Sequence, residues 1–251
     1  MVNGLDVFAE YFKGYTQSYV IIGGTACDYF LSKDDLEFRV TRDLDIVLLI
    51  EVLDKDFNDA IKKFITDGGY KNTSKASGNK QFYRFENPDD ETFPYMIEIF
   101  SRKPDVIEID EGPHCVPLDS IEEVNSLSAI LLDDNYYRLI KENCVTENNV
   151  TFIKKEYIIP LKARAYIDNQ RLKDESVFIK DKDISKHRND IFRIAQTLTP
   201  EQRISLPDSV REDLRECLEM IQGVEFKMRS IGVREITKEA LISNIVNIYS
   251  L

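Results

Sequence analysis

A short apolar run that stops at two consecutive glycines constrains the fold of this chain more than any other feature. Residues 19–22 (YVII) are rich in β-branched side chains, and a run of this kind that ends in Gly23-Gly24 predicts a buried strand followed by a tight turn. Residues 25–31 are suited to a helix. A glycine turn that leads into a helix N-terminus exposes backbone N–H groups, which can bind an anion. We therefore expect a strand–turn–helix unit with an anion-binding turn.

The next informative pattern follows shortly after this unit. Residues 43–50 begin with strict alternation, Asp43-Leu44-Asp45-Ile46, and continue as an apolar run. Successive side chains of a strand point to opposite faces of the sheet, so the pattern places both aspartates on one face of a strand that enters the interior of the sheet.

A third acidic residue lies in a predicted β-hairpin. Residues 81–85 and 95–100 are predicted strands joined by a polar loop at 87–91, and Glu98 lies between apolar neighbours in the second strand. Strands and helices are expected to interleave over this part of the chain. Further strands are predicted at residues 106–109 and 128–132, and helices at 7–12, 54–67 and 135–143.

Beyond residue 150 the pattern becomes helical. Residues 210–221 carry one apolar stripe at helical spacing, formed by Val210, Leu214, Cys217, Leu218 and Ile221. We therefore expect an α+β protein, with a mixed β-sheet domain flanked by helices at residues 1–148 and a C-terminal helical bundle at residues 149–251 that contributes to the cleft. The predicted helices of this second part are residues 155–169, 186–198, 208–222 and 238–249.

The composition is typical of a soluble globular protein, with 43% hydrophobic and 31% charged residues. No apolar run approaches the roughly 20 residues that span a bilayer, and the N-terminus lacks the pattern of a signal peptide. We therefore expect a cytoplasmic protein with no membrane partner. The 33 basic and 45 acidic residues give a net charge of -12, which opposes long-range attraction to nucleic acid. An RNA substrate would need a local basic patch.

The residue types that could bind a metal favour magnesium over zinc. The four cysteines lie far apart without a CxxC pair, and the chain has two histidines, which argues against a zinc site. Carboxylates are hard oxygen ligands of the kind that Mg²⁺ prefers. We therefore predict that Asp43, Asp45 and Glu98 bind Mg²⁺ or Mn²⁺ beside the glycine turn.

Two pairs of segments resemble the AbiEii-type nucleotidyltransferases. Residues 21–26 (IIGGTA) and 39–46 (RVTRDLDI) are similar to the family pattern of a Gly-Gly/Ser turn followed by Arg-x-Thr-x-Asp-hydrophobic-Asp. Residues 160–166 (PLKARAY) and 183–191 (DISKHRNDI) resemble the family's lysine-bearing helix and its basic motif that ends in Asp. The resemblance covers residues 15–198, and the loop between Gly24 and Asp43 is long for the family.

The resemblance implies a nucleotidyltransferase fold and a role for each matching residue. Asp43 and Asp45 would bind the metal, and Lys162 would point toward the triphosphate of an NTP such as ATP. Glu98 is assigned from its strand context as the third carboxylate. It would also help to deprotonate the hydroxyl group that accepts the nucleotidyl group. The residues implied to contact the nucleotide are Gly23, Gly24, Thr25, Lys186 and Asp190.

Each of these residues also has a structural alternative. Glu98 could form an ion pair with Arg84 or Arg102, and Lys162 could lie on a solvated helix face. Lys186 and Asp190 could form an exposed ion pair one turn apart, which contributes little to stability. His187 is expected to be a packing or surface residue rather than a base, and Arg39 and Thr41 could support the aspartate strand.

These observations predict a Mg²⁺-dependent enzyme that transfers a nucleotidyl group from an NTP to an acceptor hydroxyl. Family members include toxins of toxin–antitoxin or phage-defence systems, so the resemblance implies an RNA acceptor and an antitoxin partner. Two alternatives stay open, a nucleotide- or protein-binding module without catalysis and a small-molecule, antibiotic-type nucleotidyltransferase. A basic groove beside the carboxylates would favour an RNA acceptor. A closed acidic pocket would favour a cationic small molecule as the acceptor, and a plugged cleft would favour a binding module without catalysis.

Overall fold

The computed structural model describes residues 2–49, 55–75, 81–102, 115–117, 130, 133–175 and 177–251. Within these ranges the chain is an α+β protein, as the sequence predicts. Its strands are β1 (Tyr19–Ile21), β2 (Asp43–Leu48), β3 (Asn72–Lys75), β4 (Gln81–Glu86), β5 (Met96–Ser101), β6 (Cys115–Pro117), β7 (Cys144–Glu147) and β8 (Val150–Ile153). Its helices are α1 (Leu5–Phe12), α2 (Gly23–Lys33), α3 (Lys55–Gly68), α4 (Asp134–Glu142), α5 (Lys155–Asp174), α6 (Asp181–Ala195), α7 (Asp208–Gln222) and α8 (Lys238–Tyr249), with a 3₁₀ helix at Met228–Ile231.

The strands form one mixed sheet in the order β6-β3-β4-β5-β2-β1-β8-β7. In its centre, β2 pairs in parallel with β5 and antiparallel with β1, and β1 pairs in parallel with β8. The register of β2 and β5 places Asp45 directly opposite Glu98. Neighbouring strands lie about 4.8 Å apart, so side chains that face each other across this pair on one face of the sheet are in contact range.

The two faces of the sheet are covered by different helices. On one face, Ile46, Ile97 and Ile99 pack against aromatic side chains of α1 and α3, where the rings of Phe8 and Phe64 meet edge to face at 5.7 Å. The opposite face carries Asp45, Glu98 and Phe100, which lie across a cavity from helices α5 and α6. The alternation of apolar and acidic residues in β2 thus puts the aspartates on the face that meets the helical half.

The helical half is built on apolar stripes and capped helix ends. All five members of the predicted stripe of α7 are buried. The side chain of Thr237 caps α8 by accepting a hydrogen bond from the backbone N–H of Ala240 at 3.2 Å. Outside the helical half, the side chain of Asp133 caps α4 by accepting one from the backbone N–H of Asn135 at 2.8 Å. In the described part of the chain, no helix combines the length and apolarity needed to cross a bilayer.

Most of the predicted elements are confirmed with shifted ends, and one is wrong. The hairpin of β4 and β5, helices α1, α3 and α4, and the four C-terminal helices all form. The strand predicted at residues 128–132 is wrong at Ile130, whose backbone is helical. The other four residues of that segment lie outside the described ranges. The strand predicted at 106–109 lies outside the described residues.

Sequence analysis missed the two strands at each end of the sheet, β6 and β3 at one end and β8 and β7 at the other. Each of them has three or four residues, which is too short to show a long apolar or alternating pattern. The boundary predicted between residues 148 and 149 falls in the turn of the β7–β8 hairpin. Since β8 pairs with β1 at Ile21 and Phe152, the sheet extends into the segment that the sequence assigned to the helical bundle.

Candidate functional site

The glycine turn lies in direct contact with the aspartate strand. Gly23 has a φ of +70°, and a Cβ atom built on it would lie 1.7 Å from Oδ2 of Asp45. A Cβ on Gly24 would lie 2.6 Å from Oγ1 of Thr41. The backbone N–H of Ile22 donates to the carbonyl oxygen of Asp45 at 3.0 Å, which fixes the turn against β2. Glycine is therefore required here both for its backbone conformation and for the close approach of the carboxylate.

The carboxylates of Asp43, Asp45 and Glu98 lie close enough to affect one another. Burial raises the pKa of Asp45 well above its usual value, and the neighbouring Glu98 and Asp43 carboxylates raise it further. Asp45 lies directly opposite Glu98 in the register of β2 and β5, and both line the same cavity. A cluster of like charges of this kind is stabilised by any cation that binds to it.

One such cation belongs to the protein itself. The guanidinium of Arg84 on β4 donates to Oε1 of Glu98 from Nε at 2.7 Å and also from Nη2, and both side chains are largely buried. The predicted alternative partner Arg84 is therefore confirmed for Glu98, whereas Arg102 pairs with Asp134. Among the described residues, no three or more His, Cys, Asp or Glu side chains are arranged to hold a metal ion. The three carboxylates thus share one site without forming a ready coordination shell.

A cavity of about 120 Å³ separates the carboxylates from the helical half. Its walls carry opposite charges, because the carboxylates come from the sheet and the cationic side chains from a loop and two helices. The sheet contributes Asp43, Asp45, Glu98 and Phe100, the turn and the following loop contribute Ile22, Gly23, Gly24, Arg39 and Thr41, and α5 and α6 contribute Ile158, Leu161, Lys162, Ala165, Asn169, Lys186 and His187.

Lys162 is held at this wall by a fully buried carboxylate. Its ammonium Nζ lies 3.3 Å from Oδ2 of Asp190, and Arg39 donates to both oxygens of Asp190 at 3.0 and 3.3 Å. Arg193 donates to Asp190 as well, at 2.9 Å. Together these cations hold the pKa of Asp190 below its usual value, although burial acts in the opposite direction. The network joins the loop before β2 to helices α5 and α6.

The structure divides the predicted nucleotide contacts into two groups. Gly23, Gly24, Lys162 and Lys186 line the cavity, whereas Asp190 and Thr25 do not belong to the described residues that line it. Thr25 is buried, and its hydroxyl donates to the backbone oxygen of Asp43 at 2.6 Å. Thr25 therefore contacts Asp43, and Asp190 contacts Lys162, without lining the cavity themselves. The predicted exposed pair of Lys186 with Asp190 is wrong for Asp190, which is fully buried.

Four polar residues of the cavity were not assigned to the site from the sequence, namely Arg39, Thr41, Asn169 and His187. His187 lines the cavity, and within the described ranges its Nδ1 is buried without a hydrogen-bond partner. Burial and the positive charges of Lys162, Lys186 and Arg39 lower the pKa of His187 well below its usual value, so the ring is neutral. Asn169 is 1% exposed, and its Oδ1 is likewise buried with no partner among the described atoms.

The spacing of residues in the sequence could have shown that Asn169 lies on the same helix face as Lys162. Ile158, Leu161, Lys162, Ala165 and Asn169 recur at three- and four-residue intervals, which places them on one face of α5. The resemblance drew attention to Lys162 alone, and Asn169 lies two turns further along. That both residues reach the same cavity could be seen only in the tertiary structure.

Comparison with known protein families finds no match for this chain, and comparison with curated proteins finds none either.

Proposed function

We propose that this chain is a divalent-metal-dependent nucleotidyltransferase, which transfers a nucleotidyl group from an NTP to an acceptor hydroxyl. One observation carries the proposal, namely that a carboxylate cluster and a set of cationic side chains face each other across one cavity with a glycine turn between them. The resemblance of residues 21–26 and 39–46 to the AbiEii-type family supports it, and so does the position of the aspartate strand beside that turn. A nucleotidyltransferase fold is part of the same proposal.

The carboxylates suit Mg²⁺ or Mn²⁺ because they are hard oxygen donors that already repel one another. Asp43 and Asp45 would hold the ion, and Glu98 would join them after exchanging its contact with Arg84. The raised pKa of Asp45, which comes first from burial and then from the Glu98 and Asp43 carboxylates, fits this role because a bound cation would favour the ionised carboxylate. When bound, the ion would stabilise the charge of the phosphoryl oxygens as a Lewis acid.

The opposite wall suits the triphosphate. Lys162, Lys186 and Arg39 line it with positive charge. Gly23 and Gly24 line the same cavity and form the N-terminus of α2, where backbone N–H groups can bind an anion. In the proposed reaction the acceptor oxygen bonds to the α-phosphorus while the bond from that phosphorus to the bridging oxygen breaks. Pyrophosphate leaves with the negative charge, and the Glu98 carboxylate takes the proton of the acceptor hydroxyl.

The size of the cavity limits how a nucleotide could bind. Its volume of about 120 Å³ is smaller than the roughly 300–1,000 Å³ of pockets that enclose a whole drug-sized ligand. An NTP would therefore extend through the cavity mouth, or the helical half would move away from the sheet. Since the lining contains both signs of charge, it does not match the closed acidic pocket expected for a cationic small-molecule acceptor. An RNA acceptor and an antitoxin partner rest on the family resemblance.

A second candidate function is nucleotide binding without transfer. The observation that favours it is the Arg84–Glu98 pair, which occupies an oxygen that the reaction would need. If this contact persists with nucleotide and metal present, the chain would bind an NTP without transferring it.

The test is label transfer from each of the four α-³²P-labelled NTPs with Mg²⁺ or Mn²⁺ and total RNA. The proposal expects one or more NTPs to label an RNA band, a loss of at least about 100-fold with Asp45→Asn, and normal labelling with the control Asp56→Asn, which alters an exposed residue of α3. Labelling that persists in Asp45→Asn would overturn the assignment. Binding of an NTP without any transfer would favour the second candidate.

A further inference from the structure

Two polar residues that line the cavity each have a buried side-chain atom without a hydrogen-bond partner in the described residues. These atoms are Oδ1 of Asn169 and Nδ1 of His187. A buried polar atom without a partner costs about 1–3 kcal/mol, so native proteins seldom keep one without a use for it. Two such atoms at one cavity wall indicate a ligand that supplies the missing hydrogen bonds.

Both atoms are suited to accept a hydrogen bond. The carboxamide oxygen of Asn169 is an acceptor, and neutral His187 accepts at Nδ1 when its proton is on Nε2. An ionised phosphate or carboxylate has no hydrogen to donate and therefore cannot satisfy either atom. The ligand group must be a neutral donor, and an NTP has three kinds, the exocyclic amino group of its base, the ring N–H of an oxo base and the hydroxyls of its ribose.

The position of Asn169 favours the base over the ribose. Asn169 lies seven residues beyond Lys162 on the same face of α5, which corresponds to about 10 Å along the helix axis. In an NTP the ribose lies between the phosphates and the base, so the base is the part furthest from phosphates bound at Lys162. Leu161, Ala165 and Phe100 line the same cavity with apolar surface, which suits the flat face of a base better than a hydroxylated sugar.

We propose that Asn169 and His187 form a base-recognition subsite that selects an NTP through an exocyclic amino group. An amino group carries two hydrogens and can donate two hydrogen bonds, whereas a ring N–H can donate one. Uracil and hypoxanthine carry an oxo group at the position of the amino group. This inference rests on the proposed function, because it assumes that an NTP is the ligand. It adds a substrate preference for ATP or CTP over their oxo counterparts.

The experiment measures NTP affinity by isothermal titration calorimetry with Mg²⁺ and no acceptor. The matched pairs are ATP with inosine triphosphate and CTP with UTP, in which an oxo group replaces the amino group. The subsite predicts that the wild-type protein binds the amino member of at least one pair about tenfold or more tightly than its oxo member. This arm needs no variant, so a folding defect cannot obscure it.

Two variants and a control assign the preference to the subsite. Asn169→Leu and His187→Phe are each expected to reduce the difference within the pair to less than about threefold, with little change for the oxo member. The control Asn58→Leu removes another buried carboxamide oxygen without a partner among the described atoms, on α3 outside the cavity lining, and should keep the wild-type preference. Thermal unfolding checks that each variant is folded.

The outcomes separate this inference from the function beneath it. Equal affinity within both pairs, or a wild-type preference in a folded Asn169→Leu, overturns the subsite while leaving NTP binding in place. Affinity that falls with 2′,3′-dideoxy-ATP but is the same for ATP and inosine triphosphate assigns the donor to the ribose and also overturns it. Absence of binding by every NTP overturns the proposed function and the subsite together.

Discussion

A Cβ atom on Gly23 would lie 1.7 Å from Oδ2 of Asp45, so the glycine turn and the aspartate strand fit together only without a side chain at residue 23. The backbone at Gly23 also has a φ of +70°, which other residues rarely adopt. The proposed phosphate-binding turn therefore packs directly against the proposed metal ligand.

Gly23→Ala is therefore expected to lower both activity and stability. A non-glycine residue in the left-handed region costs about 1–2 kcal/mol, and overlap with a neighbouring group adds about 1–3 kcal/mol. The matched control is Gly232→Ala, which has a φ of +85° but no described atom within 4 Å of the added Cβ. Urea unfolding should show a larger loss for Gly23→Ala, and label transfer should fall in that variant alone. Equal losses of stability would contradict the overlap.

Asp190→Asn is expected to destabilise the fold strongly. The substitution would leave Arg39, Lys162 and Arg193 around a neutral side chain at a fully buried position, and breaking a buried ion pair costs about 3–5 kcal/mol. Glu10→Gln is the control, because Glu10 pairs with Lys13 at the surface, where the expected change is at most about 1 kcal/mol. The free energy of unfolding in urea measures both. A similar small change for the two variants would refute the structural role of Asp190.

His187 is expected to make the protein less stable in acid. The pKa of its ring is 6.5 in the unfolded chain and well below that in the folded protein. As the pH falls below 6.5, the unfolded chain gains a proton that the folded protein does not, so the free energy of unfolding falls by up to about 1.4 kcal/mol per pH unit. His187→Gln should show a smaller loss between pH 7.5 and 5.5. An unchanged pH dependence would show that the folded protein accepts this proton.

Asp45→Asn is expected to stabilise the protein while abolishing transfer. The pKa of Asp45 is raised, so between 3.8 and its folded value the folded protein retains a proton that the unfolded chain loses. The free energy of unfolding contributed by this group therefore falls as the pH rises through that window. At pH 7, Asn removes the repulsion and should raise the thermal midpoint, by a few degrees for about 1 kcal/mol. A lower midpoint than that of Asp56→Asn would contradict this.

Arg84→Gln is expected to strengthen divalent-ion binding. The guanidinium of Arg84 forms an ion pair with Glu98 and would repel a metal ion bound there. Its removal takes away this repulsion and releases the carboxylate oxygen for the ion. Electron paramagnetic resonance, which detects free Mn²⁺, should show that Arg84→Gln binds Mn²⁺ about tenfold more tightly than the wild-type protein. Arg102→Gln, which removes an arginine paired with the exposed Asp134, should bind Mn²⁺ as wild type does. Weaker binding in Arg84→Gln would mean that Arg84 orients Glu98 for the ion.

The sequence by itself determined the features that depend on local pattern. Alternation at Asp43 and Asp45 assigned both to one face of a strand, Gly23-Gly24 marked the end of β1, and the stripe of α7 marked its buried face. Each follows from the two-residue period of a strand or the 3.6-residue period of a helix, which neighbouring residues fix regardless of what packs against them. Glu98 was likewise found as an acid between apolar neighbours in a strand.

Only the tertiary structure decided which residues meet across the cavity. Asp190 was predicted to line the cleft and is instead buried behind Lys162, and Glu98 is held by Arg84 on an adjacent strand. Asn169 and His187 come together with the carboxylates from separate elements. β8 joins the sheet through β1, more than a hundred residues away in the chain. Such contacts depend on how whole elements pack against one another, and no period within a single segment encodes that packing.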